Sequence, residues 1–130
     1  MTLPMLLAAL ALQALPAPGD VHWENISTDG ADTVDIDPSS ITREGETATA
    51  LMRVHVGPET AQHGISWLVL RQAMNCRTRQ LAIIIGDAYG EDGRLRSSLR
   101  PPGPQLSYYD PPPGPDADRL HRRMCGGVET

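Results

Sequence analysis

The chain has two cysteines, Cys76 and Cys125, and this pair constrains the fold more than any other feature of the sequence. Cys76 follows an apolar run, 65–74, that is typical of a strand, and Cys125 ends a short segment of helical periodicity. A bond between them would attach a terminal helix to the strand and close a loop of about 50 residues, worth about 4 kcal/mol in the chain-entropy model. That is a large share of the net stability of a small domain.

The first 19 residues are typical of a secretory signal peptide. An apolar run, Met5 to Leu15, precedes small residues and prolines, and Ala17-Pro18-Gly19 places small residues where cleavage usually occurs. We therefore expect residues 1–19 to be a signal peptide and residues 20–130 to form one domain. The alternative is an ordinary buried N-terminal helix, since no Lys or Arg precedes the apolar run.

Export fixes the expected compartment and the expected state of the cysteines. The apolar run is too short to span a membrane as a helix, and no cysteine near the cleavage site offers a lipid anchor. The expected location is the periplasm or the extracellular medium, where paired cysteines are usually bonded because the compartment is oxidising. The alternatives are a free Cys76 nucleophile with His55, His63 or His121 as base, or a zinc site shared by His121, Cys125 and Cys76.

The composition limits the partners and the core. The net charge is -5, and all 11 basic residues are arginine, so we expect no nucleic-acid partner. Phenylalanine is absent. The core must therefore consist of aliphatic residues and Met, with Trp23 and Trp67 as its largest members.

Alternation of apolar and polar residues, bounded by turn residues, predicts an antiparallel sheet. Six strands are expected, at 21–26, 33–36, 47–56, 65–76, 80–89 and 94–99. The third of these strands, 47–56, should be half-buried, with Arg53 and His55 on its outward face. Residues 43–46 should form a tight turn. The fold class predicted is α+β: mainly an antiparallel β-sheet of about six strands, with a C-terminal helix tied to it by one disulfide.

The C-terminal third combines a proline-rich crossing with the helix. Residues 101–115 hold seven of the twelve prolines and should cross the surface without regular structure. Tyr108 and Tyr109 lie in the middle of this crossing and would either pin it to the sheet or face a partner. Asp116 is the expected N-cap of the helix, which Gly126-Gly127 should end.

Four acidic residues cluster near the second strand: Asp29, Asp32, Asp35 and Asp37. Their spacing is not that of a calcium-binding loop, so we interpret two as turn formers and Asp35 as a solvent-facing strand residue. The histidines at 22, 55 and 63 are expected to be solvated. No nucleophile elbow or phosphate loop occurs, so we predict no cofactor and no catalytic set.

The order of motifs resembles the surface-adhesin E family of small exported bacterial proteins. The best marker is Val34-Asp35-Ile36-Asp37-Pro38-Ser39-Ser40-Ile41, and Trp23, Val54-His55-Val56, Cys76 and Cys125 follow the family's spacing. The resemblance implies an antiparallel sheet curved around or packed on the C-terminal helix, with the two cysteines bonded. Named members look like adhesins that bind host matrix and serum proteins.

The function expected from the sequence is an exported, non-enzymatic binding domain of the adhesin type. Its candidate partner-binding residues are Arg53 and His55 on the sheet and Tyr108 and Tyr109 in the crossing, since Tyr and Arg are favoured as interface anchors. Two alternatives stay open. One is a small metal- or thiol-dependent enzyme, and the other is a structural envelope component that self-associates through its sheet edge.

Overall fold

A computed structural model describes residues 15–19, 21–27, 32–57, 64–101 and 106–126. Most of the expected signal peptide, Asp29, His63 and Gly127 lie outside the described residues. The described chain forms one antiparallel sheet of seven strands, with a helix near the C-terminus and a bond between Cys76 and Cys125. This confirms the α+β fold class and the disulfide that ties helix to sheet.

The sheet has the order β1-β2-β4-β5-β6-β7, and β3 pairs with β4 beside β2. β2 pairs with residues 52–55 of β4, whereas β3 pairs with residues 47–49. The elements are β1 Glu24–Asn25, β2 Thr33–Ile36, a 3₁₀ turn Pro38–Ser40, β3 Thr42–Glu44, β4 Thr47–His55, β5 Trp67–Asn75, β6 Leu81–Tyr89, β7 Leu95–Leu99, helix α1 Pro115–His121 and a π-helical turn Arg122–Gly126.

The seventh strand, β3, was not predicted from the sequence. Its register with β4 places Glu44 opposite Thr47, so the turn consists of Gly45 and Glu46 alone. Gly45 has φ +62, a left-handed conformation that glycine adopts without steric cost, which allows so short a connection. The predicted turn over 43–46 was therefore two residues too long. The first strand is also shorter than predicted and keeps only Glu24–Asn25.

One face of the sheet, which we call the helix face, holds the main core. Alternation along β4 directs Ala48, Ala50 and Met52 to this face, where they pack with Met74 of β5 and Leu81 of β6. The C-terminal segment closes the cluster with its buried side chains, Leu120, Met124 and Cys125. The disulfide secures this packing with a Cα–Cα distance of 5.8 Å, and His121 Nε2 lies 2.9 Å from the Cys76 carbonyl oxygen.

Helix α1 begins earlier than predicted, and Asp116 is not its N-cap. The N-cap is Gly114, with φ 142, and Pro115 occupies the first helical turn. Proline is favoured there because its missing N–H is one that the helix cannot use and its φ already suits a helix. Asp116 lies inside the first turn and accepts a hydrogen bond of 2.9 Å from Arg119 Nη1.

The opposite face of the sheet, which we call the far face, is covered too. Its apolar patches are Leu51, Val69 and Tyr89, and, further along, Ala73, Ile84 and Ile85. Leu15, Val21, Trp23 and Leu106 pack against them. β4 is consequently buried on both faces from Thr47 to Met52, and the prediction of a half-buried strand holds only for its last three residues.

Candidate functional site

Arg53 is the centre of a polar and aromatic cluster on the far face. Its Nη2 and Nε donate to Asp35 Oδ2 at 2.6 and 3.0 Å. Its guanidinium carbon lies 5.0 Å from the ring centroid of Trp23 and 4.8 Å from that of Trp67. Both distances are within the range of cation–π attraction, so an ion pair and two indoles hold this arginine in place.

The remaining members extend the cluster along the rim of the sheet. Because His55 pairs with Trp67 across β4 and β5, their rings meet with centroids 4.1 Å apart and planes tilted by 33°. Trp23 Nε1 donates to the Pro18 carbonyl oxygen at 2.7 Å, and Arg53 Nη1 donates to the same oxygen at 2.9 Å. We call Trp23, Asp35, Arg53, His55 and Trp67 the Arg53 cluster.

Asp35 was predicted to face solvent, and this is wrong. Asp35 is only 6% exposed. In addition to the hydrogen bonds from Arg53, it accepts one from Asn25 Nδ2 at 3.0 Å. The antiparallel register places Asp35 directly opposite Arg53, so the two side chains emerge together on the far face. The two tryptophans also differ from expectation, because both are only half-buried and line a surface.

The other described acids serve turns and loops. Asp37 accepts from the Ser39 amide at 3.0 Å and caps the 3₁₀ turn. Asp32 accepts from the Gly57 amide at 2.9 Å. Within the described ranges, no three His, Cys, Asp or Glu side chains come together as a metal site would require.

The four residues predicted to contact a partner do not form one surface. Arg53 and His55 share the far face. Tyr109 pairs with Leu81 through backbone hydrogen bonds of 2.8 and 2.9 Å, and its hydroxyl accepts from Gln72 Nε2 at 2.8 Å. Gln72 lies opposite Ala50 across β4 and β5 and therefore shares the helix face, so Tyr109 pins the crossing on that face while remaining 43% exposed. Tyr108 is 37% exposed.

Arg71, in the middle of β5, was missed by the sequence analysis. It lies on the far face between Leu51 and Ile85, and its buried Nε has no hydrogen-bond partner among the described residues. Burial lowers the pKa of its guanidinium, and the charge of Asp37 opposes that shift. The available signal was an arginine in the middle of a strand whose residues, apart from Gln72 and the terminal Asn75, are apolar.

Two further surface features lie away from the Arg53 cluster. A groove of about 310 Å³ runs between residues 111–115 and the buried side chains of Ile26 and Leu120. The edge strand β7 is exposed along its whole length, with Leu95 56% and Leu99 47% accessible.

The state of the cysteines bears on the enzymatic alternative. Cys76 and Cys125 are bonded to each other, so neither carries a thiol in this structure. His121, the proposed third member of a zinc site, contacts the backbone carbonyl of Cys76. In the part of the chain that the structure describes, no helix has both the length and the apolar character needed to cross a membrane.

Comparison with known proteins gives likeness in fold alone. No family model and no curated protein matches the sequence. The structure matches crystal form II of Haemophilus influenzae protein E with a TM-score of 0.54 and 13% identity, covering 88% of this chain and 95% of that one. A second structure of H. influenzae protein E gives a TM-score of 0.53 at 15% identity, covering 88% and 92%. Protein E from non-typeable H. influenzae gives 0.52 at 16% identity, covering 88% and 83%.

These matches agree with the resemblance read from the sequence. They span most of this chain and at least four-fifths of each protein E chain, so the likeness concerns the whole domain and not one motif. The resemblance to the surface-adhesin E family is therefore confirmed at the level of the fold: the chain adopts the fold of H. influenzae protein E.

Proposed function

We propose that this protein is an exported, non-enzymatic binding domain whose partner is a protein. The observation that carries the proposal is the Arg53 cluster, in which an arginine is stacked between two indoles and paired with Asp35. Arg and Trp are the side chains most often found at the energetic centres of protein interfaces. The protein E fold supports the same class of function by analogy.

The rigidity of the cluster favours binding over a merely structural role. Long side chains normally lose conformational entropy when a partner immobilises them, which weakens association. Arg53 has already lost that freedom, because Asp35 and Trp67 hold it from two sides. A partner meeting this surface would encounter a fixed donor with little further entropic cost.

Export of the mature domain, residues 20–130, is part of the proposal. The disulfide supports it, because such bonds persist in oxidising compartments and are rare in the cytosol. Intact mass of the protein purified without reductant from an exporting bacterium tests it, before and after alkylation under denaturing conditions. We expect a chain that begins near Asp20 and takes up no alkylating agent. A full-length chain with two reactive thiols would refute export.

Binding is tested by photo-crosslinking in the exporting cell. The crosslinking residue p-benzoylphenylalanine is placed at His55, at Tyr108 and, as a control, at Arg77, whose side chain is 68% exposed in the turn after β5. We expect a discrete protein adduct at His55 and none at Arg77. An adduct at Tyr108 alone would keep the binding function and move it to the crossing, whereas no adduct at either position would refute it.

A second candidate function, self-association as an envelope component, is favoured by one observation. Strand β7 offers an exposed edge with two accessible leucines, Leu95 and Leu99, and such edges pair readily with other chains. Sedimentation of the purified protein over a range of concentrations tests this. A dimer that dissociates when Ser97 is replaced by proline would support it, and a monomer at all concentrations would refute it.

A further inference from the structure

The far face carries a segment of this chain in the manner of a bound peptide. Leu15 packs against both apolar patches of the face, and the Pro18 carbonyl oxygen accepts hydrogen bonds from Trp23 and Arg53. The segment 15–19 reads Leu-Pro-Ala-Pro-Gly. Each proline favours an extended conformation in the residue before it, Leu15 or Ala17, and a turn follows at Pro18 and Gly19. The apolar side chain that packs on the face, that of Leu15, and the carbonyl that accepts the hydrogen bonds, that of Pro18, are thus three residues apart.

We propose that the far face is a docking groove for an extended, proline-containing segment of a partner protein. The chain's own residues 15–19 occupy this groove until the signal peptide is removed. This inference rests on the binding function and the export proposed above, and it adds the chemistry of the partner and the surface that receives it.

The contacts match a known physical mode of peptide recognition. A proline-rich segment in the polyproline II conformation makes no internal hydrogen bonds, so its carbonyl groups are free to accept from a partner. Grooves that bind such segments are lined by aromatic side chains, which pack on the rings and donate to the carbonyls. Trp23 and Arg53 supply the two donors here, and Trp67 flanks Arg53 and packs on the same apolar patch as Leu15.

Removal of residues 1–19 would empty this groove without dismantling it. Arg53 would keep both hydrogen bonds to Asp35 and its contact with the Trp67 ring. The Trp23 indole N–H and Arg53 Nη1 would lose their shared acceptor, and the patch of Leu51, Val69 and Tyr89 would lose Leu15. A partner segment with the same spacing of apolar residue and carbonyl would restore all of these contacts.

The test is an NMR titration of the protein purified from an exporting bacterium, its N-terminus established by intact mass. The probe is the synthetic peptide acetyl-Leu-Pro-Ala-Pro-Gly-amide, and the control peptide has alanine in place of both prolines. Since the chain has two tryptophans, its indole N–H signals are easily assigned with a Trp23→Phe variant. We expect the probe to shift the Trp23 signal saturably and the control peptide to bind about fivefold more weakly.

Variants distinguish a loss of peptide binding in the groove from a general effect on folding. Trp23→Phe keeps an aromatic ring but removes the donor, so the probe, followed by the Trp67 signal, should bind about fivefold more weakly. Arg53→Lys keeps the charge but cannot bond Asp35 and a carbonyl together in the same fork geometry, so we expect a similar loss. Arg77→Lys, in the turn after β5, is the matched control and should bind like the wild type.

Three outcomes would overturn the proposal of a docking groove. The first is a chain beginning near Asp20 whose indole signals do not respond to the probe. The second is a probe that binds equally well to the Arg53→Lys variant. The third is a purified chain that retains residues 15–19, because the segment would then be a permanent cover. Any of these results together with a crosslinked adduct at His55 or Tyr108 would leave the binding function standing and reject only the groove.

Discussion

Two arginines on the far face show how differently one residue type can be accommodated. Arg53 is paired with Asp35 and stacked between indoles, so its charge is compensated where it is partly buried. Arg71 is half-buried among apolar neighbours, and its Nε, the buried part of the guanidinium, has no hydrogen-bond partner among the described residues. Burying a polar group without a hydrogen bond costs free energy, so Arg71 should weaken the fold.

Replacing Arg71 by methionine should therefore stabilise the protein. Methionine fills the space of the arginine stem as far as Nε and has no donor to satisfy, so we expect the free energy of unfolding to rise by about 1 kcal/mol. Denaturant unfolding of Arg71→Met measures this, with Arg77→Met as the control, because that exposed side chain should change stability by less than about 0.5 kcal/mol. A loss of stability in Arg71→Met would show that the guanidinium is satisfied by the fold.

At the scale of elements, Tyr109 holds the proline-rich crossing to the sheet. Tyr109 continues the backbone pairing of β6 at Leu81 and offers its hydroxyl to Gln72, which is 4% exposed. The two adjacent tyrosines have similar exposure but different contacts, so they form a natural pair for comparison.

The pair Tyr109→Phe and Tyr108→Phe tests this assignment. Loss of the Tyr109 hydroxyl leaves the buried amide of Gln72 without its partner and should lower the free energy of unfolding by about 1 kcal/mol. Tyr108→Phe should change it by less than about 0.5 kcal/mol. Both values come from denaturant unfolding, and equal effects of the two substitutions would contradict the pinning role of Tyr109.

A second contact between elements is sensitive to acid. Arg123 donates to both carboxylate oxygens of Glu24, at 2.7 and 3.1 Å, and so links β1 to the π-helical turn. This hydrogen bonding lowers the pKa of Glu24 below its usual 4.5. Since the folded pKa is depressed, the pair stabilises the fold above the unfolded pKa, and that stabilisation disappears as pH falls through the folded value.

The variant Glu24→Gln should reveal that dependence. We expect it to be less stable than the wild type at neutral pH and to converge with the wild type in acid below 4.5, where the Glu24 carboxylate becomes protonated. Denaturant unfolding as a function of pH measures the difference, and Glu91→Gln in the turn after β6 is the control. A difference that does not change with pH would exclude the ion pair as its source.

At the scale of the whole molecule, one covalent bond joins the two layers. The disulfide links residues 49 positions apart, from the end of β5 to the buried Cys125 beside the terminal helix. The other contacts that hold α1 and its following turn on the sheet are noncovalent. They are made by buried side chains such as Leu120 and Met124 and by polar contacts such as that of Arg123 with Glu24.

Loss of this bond should therefore be the most damaging of the changes considered. The double variant Cys76→Ala with Cys125→Ala should lose about 4 kcal/mol of unfolding free energy, the chain-entropy value for a loop of this size. Denaturant unfolding of the oxidised protein, the reduced protein and the variant measures it. If reduction leaves the unfolding midpoint unchanged, noncovalent contacts alone hold the helix on the sheet.

Local sequence patterns were sufficient to predict much of this fold. The strands β4, β5 and β6 and the terminal helix follow from periodicities that each segment carries alone, and the two cysteines have one pairing available. The register of the strands and the burial of the sheet faces decided the rest, because both depend on residues that are distant in sequence. β3 exists because Gly45 permits a two-residue turn, Asp35 is buried because it meets Arg53 across β2 and β4, and Pro115 displaces Asp116 from the helix N-cap. The Arg53 cluster itself assembles from four separate segments, so only the tertiary structure could show that these side chains form one surface.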